Sequence, residues 1–187
     1  YYVLGRFSSI LSDTDLKLRY ATWRKRLADA LDAAWEEDRY VRQFGADGRA
    51  VGAPFDAECA LDLSVQALSA LSGAGRPDRA ETAVKTALSL VDFKAGIVKS
   101  MDPPFVVGRD TSGTAALPPG VKDNGGQRTS EAVGYIRALY ALGQKEAAYK
   151  LVETINPVRH GKTDGDNYRV EPYVLADDVG AGRYKGR

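Results

Sequence analysis

An all-α fold built from antiparallel helix pairs is what this sequence predicts, and three observations predict it. Apolar residues recur at helical spacing in several long stretches. Two of those stretches, "ECALDLSVQALSALSG" and "TSEAVGYIRALYALG", are each followed after a glycine by a second helical stretch. Between the two pairs lies a long segment with no helical period, stiffened by Pro103, Pro104, Pro118 and Pro119. Repeated helix pairs of this kind build an α-solenoid or an α/α toroid.

Taken in order, the first confident element is a helix from Asp15 to about Trp35, with Leu16, Tyr20, Trp23, Leu27 and Leu31 on one stripe and "SDT" as its cap. "RYVRQFGADGRAVG" reads as a small β-hairpin about Asp47 and Gly48. The next helix carries Leu61, Val65, Leu68 and Leu71, with Gly73 as its C-terminal cap. Pro77 opens its partner in the first turn, where the missing N–H costs nothing. "TSEAVGYIRALYALG", Gly143 and "QKEAAYKLVETINP" repeat the plan, ending before Pro157. Residues 92 to 128 hold no long periodic segment apart from a strand at "GIVKS". Loops beyond about 12 to 15 residues are uncommon in compact domains and usually functional or disordered. Prolines and the buriable Phe105, Val106 and Val107 predict an ordered loop across the mouth of the helical array.

Composition bounds the partners. The chain has 187 residues, 44% of them hydrophobic, enough for one domain with a core. Its 26 Lys and Arg nearly balance 25 Asp and Glu, so the net charge of +1 offers no footprint for nucleic acid and points to a small or nearly neutral ligand. Cys59 is the only cysteine, which excludes an internal disulfide and a cysteine-based zinc cluster and reads as a buried apolar residue. "YYVLGRFSSIL" is too short and interrupted for a membrane span and lacks the order of a signal peptide. Tyr1 at the start and Met101 as the only methionine read as a piece of a longer reading frame.

The stretch "LPPGVKDNGGQRTSEA" carries the chemistry. Lys122, Asp123, Asn124 and Gln127 offer ammonium, carboxylate and amide groups, while Gly125 and Gly126 let backbone approach a ligand. Such a mixture of donors and acceptors suits a polyhydroxylated guest such as a sugar. A capped turn, in which Asp123 and Asn124 satisfy only their own backbone, reads the same residues equally well. The following helix start near Thr129 and Ser130 is a generic place for an anion.

"PPGVKDNGGQRTSEA", together with "GAPFDAECALDLSVQALSALSGAGRPDRA", "INPVRH" and "YRVEPYVLADDV", resembles the later half of the catalytic domain of glycoside hydrolase family 94, from about Trp35 to Val179. That family includes cellobiose and chitobiose phosphorylases, β-1,2-oligoglucan phosphorylases and the C-terminal region of cyclic β-1,2-glucan synthases; the closing motif is most similar to the last. The resemblance implies that residues 1–187 are a single partial domain, the C-terminal portion of an (α/α)6 toroid with its sugar site at one mouth. It also implies inverting chemistry: an acid protonates the glycosidic oxygen while phosphate, taking the place of water, attacks from the opposite face.

By the same resemblance Lys122 and Asp123 occupy the "KE" or "RE" positions beside the acceptor-side sugar, and Asp177 lies on a stretch facing the cleft. Gln127 and Thr129 match "GGQYTH", while Ser130 stands at the phosphate-contacting histidine and Leu117 and Arg128 at two tyrosines. The substrate-binding set is therefore Lys122, Asp123, Gln127 and Asp177, and the phosphate-binding set Thr129 and Ser130. No catalytic residue is assigned, because the family's acid belongs to a "GDWNDGM"-like motif and its phosphate site is completed by "GGWTWYTG", neither of which occurs here. His160 reads as a loop-positioning residue and Glu171 as a structural carboxylate. Glu58 and Asp62, four apart on an expected helix face, read as a capping group and a buried polar contact.

Three functions fit. The chain is an enzyme segment of a β-glucan phosphorylase or cyclic β-1,2-glucan synthase-like protein, or a degenerate module that retains sugar binding without catalysis, or a helical interaction solenoid, which leaves the motif-rich loop unexplained. The expected partner is a β-glucan oligosaccharide, with the rest of a longer polypeptide or a second copy beside it. No cofactor or metal is implied, and inorganic phosphate is the co-substrate. The resemblance and the lack of disulfides favour the cytoplasmic side.

Overall fold

The structure is a computed structural model that describes residues 1–107, 113–171 and 173–186. Helices dominate it. Helix α1 (Tyr2–Ile10) packs on α2 (Thr14–Ala33), whose N-cap Asp13 accepts the Leu16 N–H at 3.0 Å. Short strands follow: β1 (Trp35–Glu36) pairs with β2 (Arg39–Tyr40), and β3 (Gln43–Phe44) with β4 (Ala50–Val51) about the expected turn. Strand β5 (Leu61–Asp62) leads into α3 (Leu63–Ser72) and α4 (Pro77–Thr86). Strands β6 (Val91–Asp92) and β7 (Ile97–Val98) form a hairpin, and β8 (Met101–Asp102) returns to pair with β5. After β9 (Gln127–Arg128) come α5 (Thr129–Ala141), α6 (Lys145–Thr154), α7 (Pro157–Thr163) and α8 (Gly165–Tyr168). Strand β10 (Asp178–Val179) then pairs antiparallel with β9.

The core forms where α3 lies along α5, with α4 and α6 flanking them. Leu63, Val84, Tyr135, Leu139 and Leu151 fill it, and the small residues Ala67, Ala132 and Ala138 let the helix axes approach. Full burial of each large side chain stabilises by roughly 1.5–3 kcal/mol. Tyr135 keeps its hydroxyl satisfied by donating to the Val84 carbonyl at 2.7 Å. Both glycine-jointed pairs are present, and Gly73 closes α3 at φ +65°, a left-handed turn that costs glycine no Cβ clash.

Several expectations are corrected. The sequence places no helix over "YYVLGRFSSIL", where α1 forms. The expected first helix ends at Ala33, two residues before the aromatic Trp35 turns into β1 and stacks edge-on against Tyr40 at 4.9 Å. The next helix begins at Leu63 and not near Glu58, because Asp62 caps it by accepting the Val65 N–H at 2.9 Å. Glu58 therefore shares no helix face with Asp62; its Oε1 accepts the N–H groups of Val106 and Val107 at 2.8 and 2.6 Å. The buried face of α3 runs through Leu63, Gln66 and Ala67, so Leu68 faces solvent. Pro157 ends α6 as expected and at once opens α7, with Asn156 as the cap at 2.9 Å from the Val158 N–H. Cys59 is fully buried, as read.

A second kind of surface is unpartnered within these residues. Helices α1 and α2 bury no residue, and leave Val3, Phe7, Ile10, Trp23 and Leu27 exposed. The outer side of α5 and α6 carries an apolar recess of about 500 Å³ lined by Leu71, Ile136, Tyr140, Tyr149 and Val152. No described helix is long and apolar enough to cross a membrane.

Candidate binding site at the N-terminal ends of α3 and α5

The loop before α5 takes its course from one side chain. Asn124, fully buried, accepts the Phe105 N–H at 2.7 Å through Oδ1 and donates through Nδ2 to the carbonyls of Phe105 at 3.0 Å and Leu117 at 2.7 Å. The backbone adds Gly120 N–H to Asn124 O at 2.7 Å and Ser100 N–H to Gly126 O at 2.7 Å. At Gly126 a Cβ would stand 2.7 Å from the Lys122 nitrogen, so no other residue fits that crossing without shifting the backbone.

This frame brings Lys122, Asp123 and Asp177 to one edge. Lys122 Nζ lies 3.5 Å from Asp178 of β10, and Arg128 spans Asp123 and Asp177, 3.2 Å from each carboxylate. Arg128, a departure from the family pattern, thus joins two of the expected sugar ligands. Gln127 is placed elsewhere: it is buried, Oε1 accepts the Val98 N–H at 2.9 Å, and Nε2 donates to Thr129 Oγ1 at 3.2 Å. Thr129 is engaged as well, its hydroxyl donating to Ala176 O at 2.6 Å and its N–H to Asp177 O at 2.9 Å. Ser130 is exposed. The two residues assigned to phosphate therefore point to different surroundings.

Asp123 also faces inward, onto a polar cavity of about 300 Å³ that Arg42, Gln43, Asp62, Ser64, Val65, Ser100, Thr114 and Glu131 complete. One wall is rigid. Asp62, 3% exposed, caps α3, accepts Ser64 Oγ at 3.0 Å and forms an ion pair with Arg42, which also donates to Thr114 Oγ1 at 3.2 Å. Asp62 and Arg42 are thus oriented by hydrogen bonds, as a preformed recognition site requires, while the buried Oδ1 of Asp123 has only the Arg128 ion pair.

Glu131, in the first turn of α5, was not singled out by sequence. Burial pushes its carboxyl up from an ordinary 4.5 to about 7, the charges of Asp62 and Asp123 push the same way, and a hydrogen bond with Ser100 and the charge of Arg42 act against them. An acidic residue in a first helical turn ordinarily reads as a partner of the helix dipole, so nothing local marks it. Arg42 and Thr114 were missed for a different reason: they meet across 72 positions of sequence.

His160 lies outside this cavity. Its Nε2 is 2.8 Å from Gly96 O, its ring stacks on Tyr168 at 4.7 Å, and burial holds its pKa below the ordinary value. The neutral ring donates from Nε2 and ties the β6–β7 hairpin to α7. Glu171 is exposed. No group of three or more metal-ligating side chains occurs among the described residues.

The model of the glycosyl hydrolase 94 superfamily catalytic domain matches residues 1–186. The chain is also 37% identical over 180 residues to the cyclic beta-(1,2)-glucan synthase NdvB of Rhizobium meliloti (strain 1021), an alignment covering 91% of this chain and 6% of that protein. By a match that runs almost from end to end, the chain belongs to the glycosyl hydrolase 94 superfamily.

Proposed function

We infer that the chain supplies one side of the sugar cleft of a β-glucan phosphorylase or cyclic β-1,2-glucan synthase-like protein, which acts on β-linked glucosides by inverting phosphorolysis or glycosyl transfer. The observation that carries this reading is the polar cavity at the joined N-terminal ends of α3 and α5. It presents charged and hydroxyl groups on a fixed frame, and its contents suit a neutral ligand that donates and accepts at each hydroxyl. Lys122, Asp123 and Asp177 extend the same chemistry along the edge.

In this reading the chain's residues bind and orient a sugar. The Arg42–Asp62 pair fixes one wall, Ser64, Ser100 and Thr114 offer hydroxyls, and Asp123 reaches both cavity and edge. The proton donor belongs to a motif these residues lack. The helix pairs form part of an (α/α)6 toroid, and further helix pairs or a second copy cover the apolar faces of α1, α2, α5 and α6.

Titration calorimetry of the 187-residue chain with a linear β-1,2-glucan oligosaccharide tests the reading. Asp123→Ala should weaken binding about tenfold to a hundredfold, the value of a charged hydrogen bond. Unchanged affinity would return the loop to a capped turn. A second reading, a sugar-binding module without catalysis, is favoured by exposed Ser130 at the phosphate position. Both readings expect the purified chain to release no glucose 1-phosphate from glucan and phosphate, since losing general acid catalysis removes roughly 10² to 10⁴ in rate.

A further inference from the structure

One ionisable group in the cavity has no part in the frame described above. Asp62 is spent on its cap and on Arg42, and Asp123 is met at the rim by Arg128. Glu131 lines the same cavity as these two carboxylates from α5, with Ser100 beside it and Arg42 as the cation in the cavity. Because Arg42 already neutralises Asp62, an ionised Glu131 leaves the cavity with excess negative charge. A protonated Glu131 leaves instead a hydrogen-bond donor among hydroxyls.

We propose that Glu131 is the specificity-determining residue of this cavity: in its acid form it donates to a hydroxyl of a neutral glucoside, and in its ionised form it excludes phosphate and other anions. The proposal rests on the sugar-cleft reading and adds to it the choice of ligand. An anion entering beside Asp62, Asp123 and ionised Glu131 meets like charges in a partly buried space, where water screens them poorly. A neutral sugar meets no such barrier but loses a donor when the proton leaves. The chain's titration near neutrality would make that loss visible in an ordinary buffer range.

The experiment is calorimetric titration of the full 187-residue chain, its Glu131→Gln variant and its Glu131→Ala variant, each with a linear β-1,2-glucan oligosaccharide and with inorganic phosphate. Between pH 6 and pH 8 the wild type should lose glucan affinity about tenfold, one decade for the unit by which the pH passes the pKa. Glu131→Gln, which keeps a neutral donor, should bind glucan with the same affinity at both pH values, and Glu131→Ala should bind weakly at both. At pH 8 phosphate should bind both variants at least about tenfold more tightly than the wild type. As a check independent of any variant, the carboxyl carbon of Glu131, followed by NMR in the wild type, should titrate at higher pH when the oligosaccharide is bound.

The outcomes separate two failures. Glucan bound by the wild type with equal affinity at pH 6 and pH 8, or phosphate indifferent to both variants, overturns the role of Glu131 and leaves the sugar cleft standing. No glucan binding by any form at either pH overturns the sugar cleft and this inference with it.

Discussion

The α3–α5 core and the cavity above it are built from the same two helices by opposite means. Below, Leu63, Tyr135 and Leu139 are buried against apolar neighbours, and their stabilisation follows area and fit. In the cavity wall and in the loop and strand beside it, the buried groups are Asp62, Asn124 and Gln127, which bond to Arg42, Phe105 and Val98, partners distant in sequence. The difference teaches where this molecule tolerates change. A core loses stability in proportion to what is removed, whereas a polar frame loses it by orphaning partners that stay behind.

The largest effect should come from the core. Tyr135→Ala removes a fully buried ring and orphans the Val84 carbonyl, so urea denaturation should show a loss of about 4 kcal/mol. A loss below about 1 kcal/mol would break the contrast, since the core would then be no better packed than the cavity. Asn124→Ala comes next, at about 3 kcal/mol, because the Phe105 N–H and the Phe105 and Leu117 carbonyls lose their partner together. Hydrogen exchange at the Phe105 amide should speed up in that variant far more than exchange within α5.

Glu131→Gln should act with the opposite sign. The folded-state pKa of about 7 lies above the ordinary 4.5, so the wild type is unpenalised below pH 4.5, loses stability as pH rises towards 7 and is level beyond it. The variant should therefore gain about 2 to 3 kcal/mol at pH 8 and almost nothing at pH 4. Equal gains at both pH values would mean that charge is not the cause. The smallest effect belongs to the surface of α2, where Lys25 and Asp29 pair at 2.7 Å with side chains 76% and 61% exposed. Lys25→Ala should shift stability by less than about 0.5 kcal/mol.

Legibility followed the same division. The helix pairs could be read because a period of 3.6 and a punctuating glycine or proline are local signals, and α4, α5 and α6 lie where those signals place them. Where periodicity misled, a local polar contact had set the boundary: Asp62 captured the start of α3, whose buried face runs through Leu63, Gln66 and Ala67 and leaves Leu68 exposed. The longest periodic stretch, α2, formed a helix and buried nothing, since a pattern announces an apolar face but not its neighbour. Of the cavity's lining, Asp123 stood out in the sequence through its dense motif. Arg42, Ser100, Thr114 and Glu131 did not, because the cavity is assembled by β5–β8 pairing and by the approach of α3 to α5.

The amide of Asn124 has a consequence for how such a loop can change over generations. It fixes the path of the chain by bonds to main-chain atoms alone, atoms that every residue possesses. Substitution at the neighbouring displayed positions, such as 122, 123 and 130, leaves those bonds intact. The loop therefore behaves as a mount with exchangeable heads: the side chains it displays can change one at a time without disturbing its path, while loss of the single amide would release the path itself.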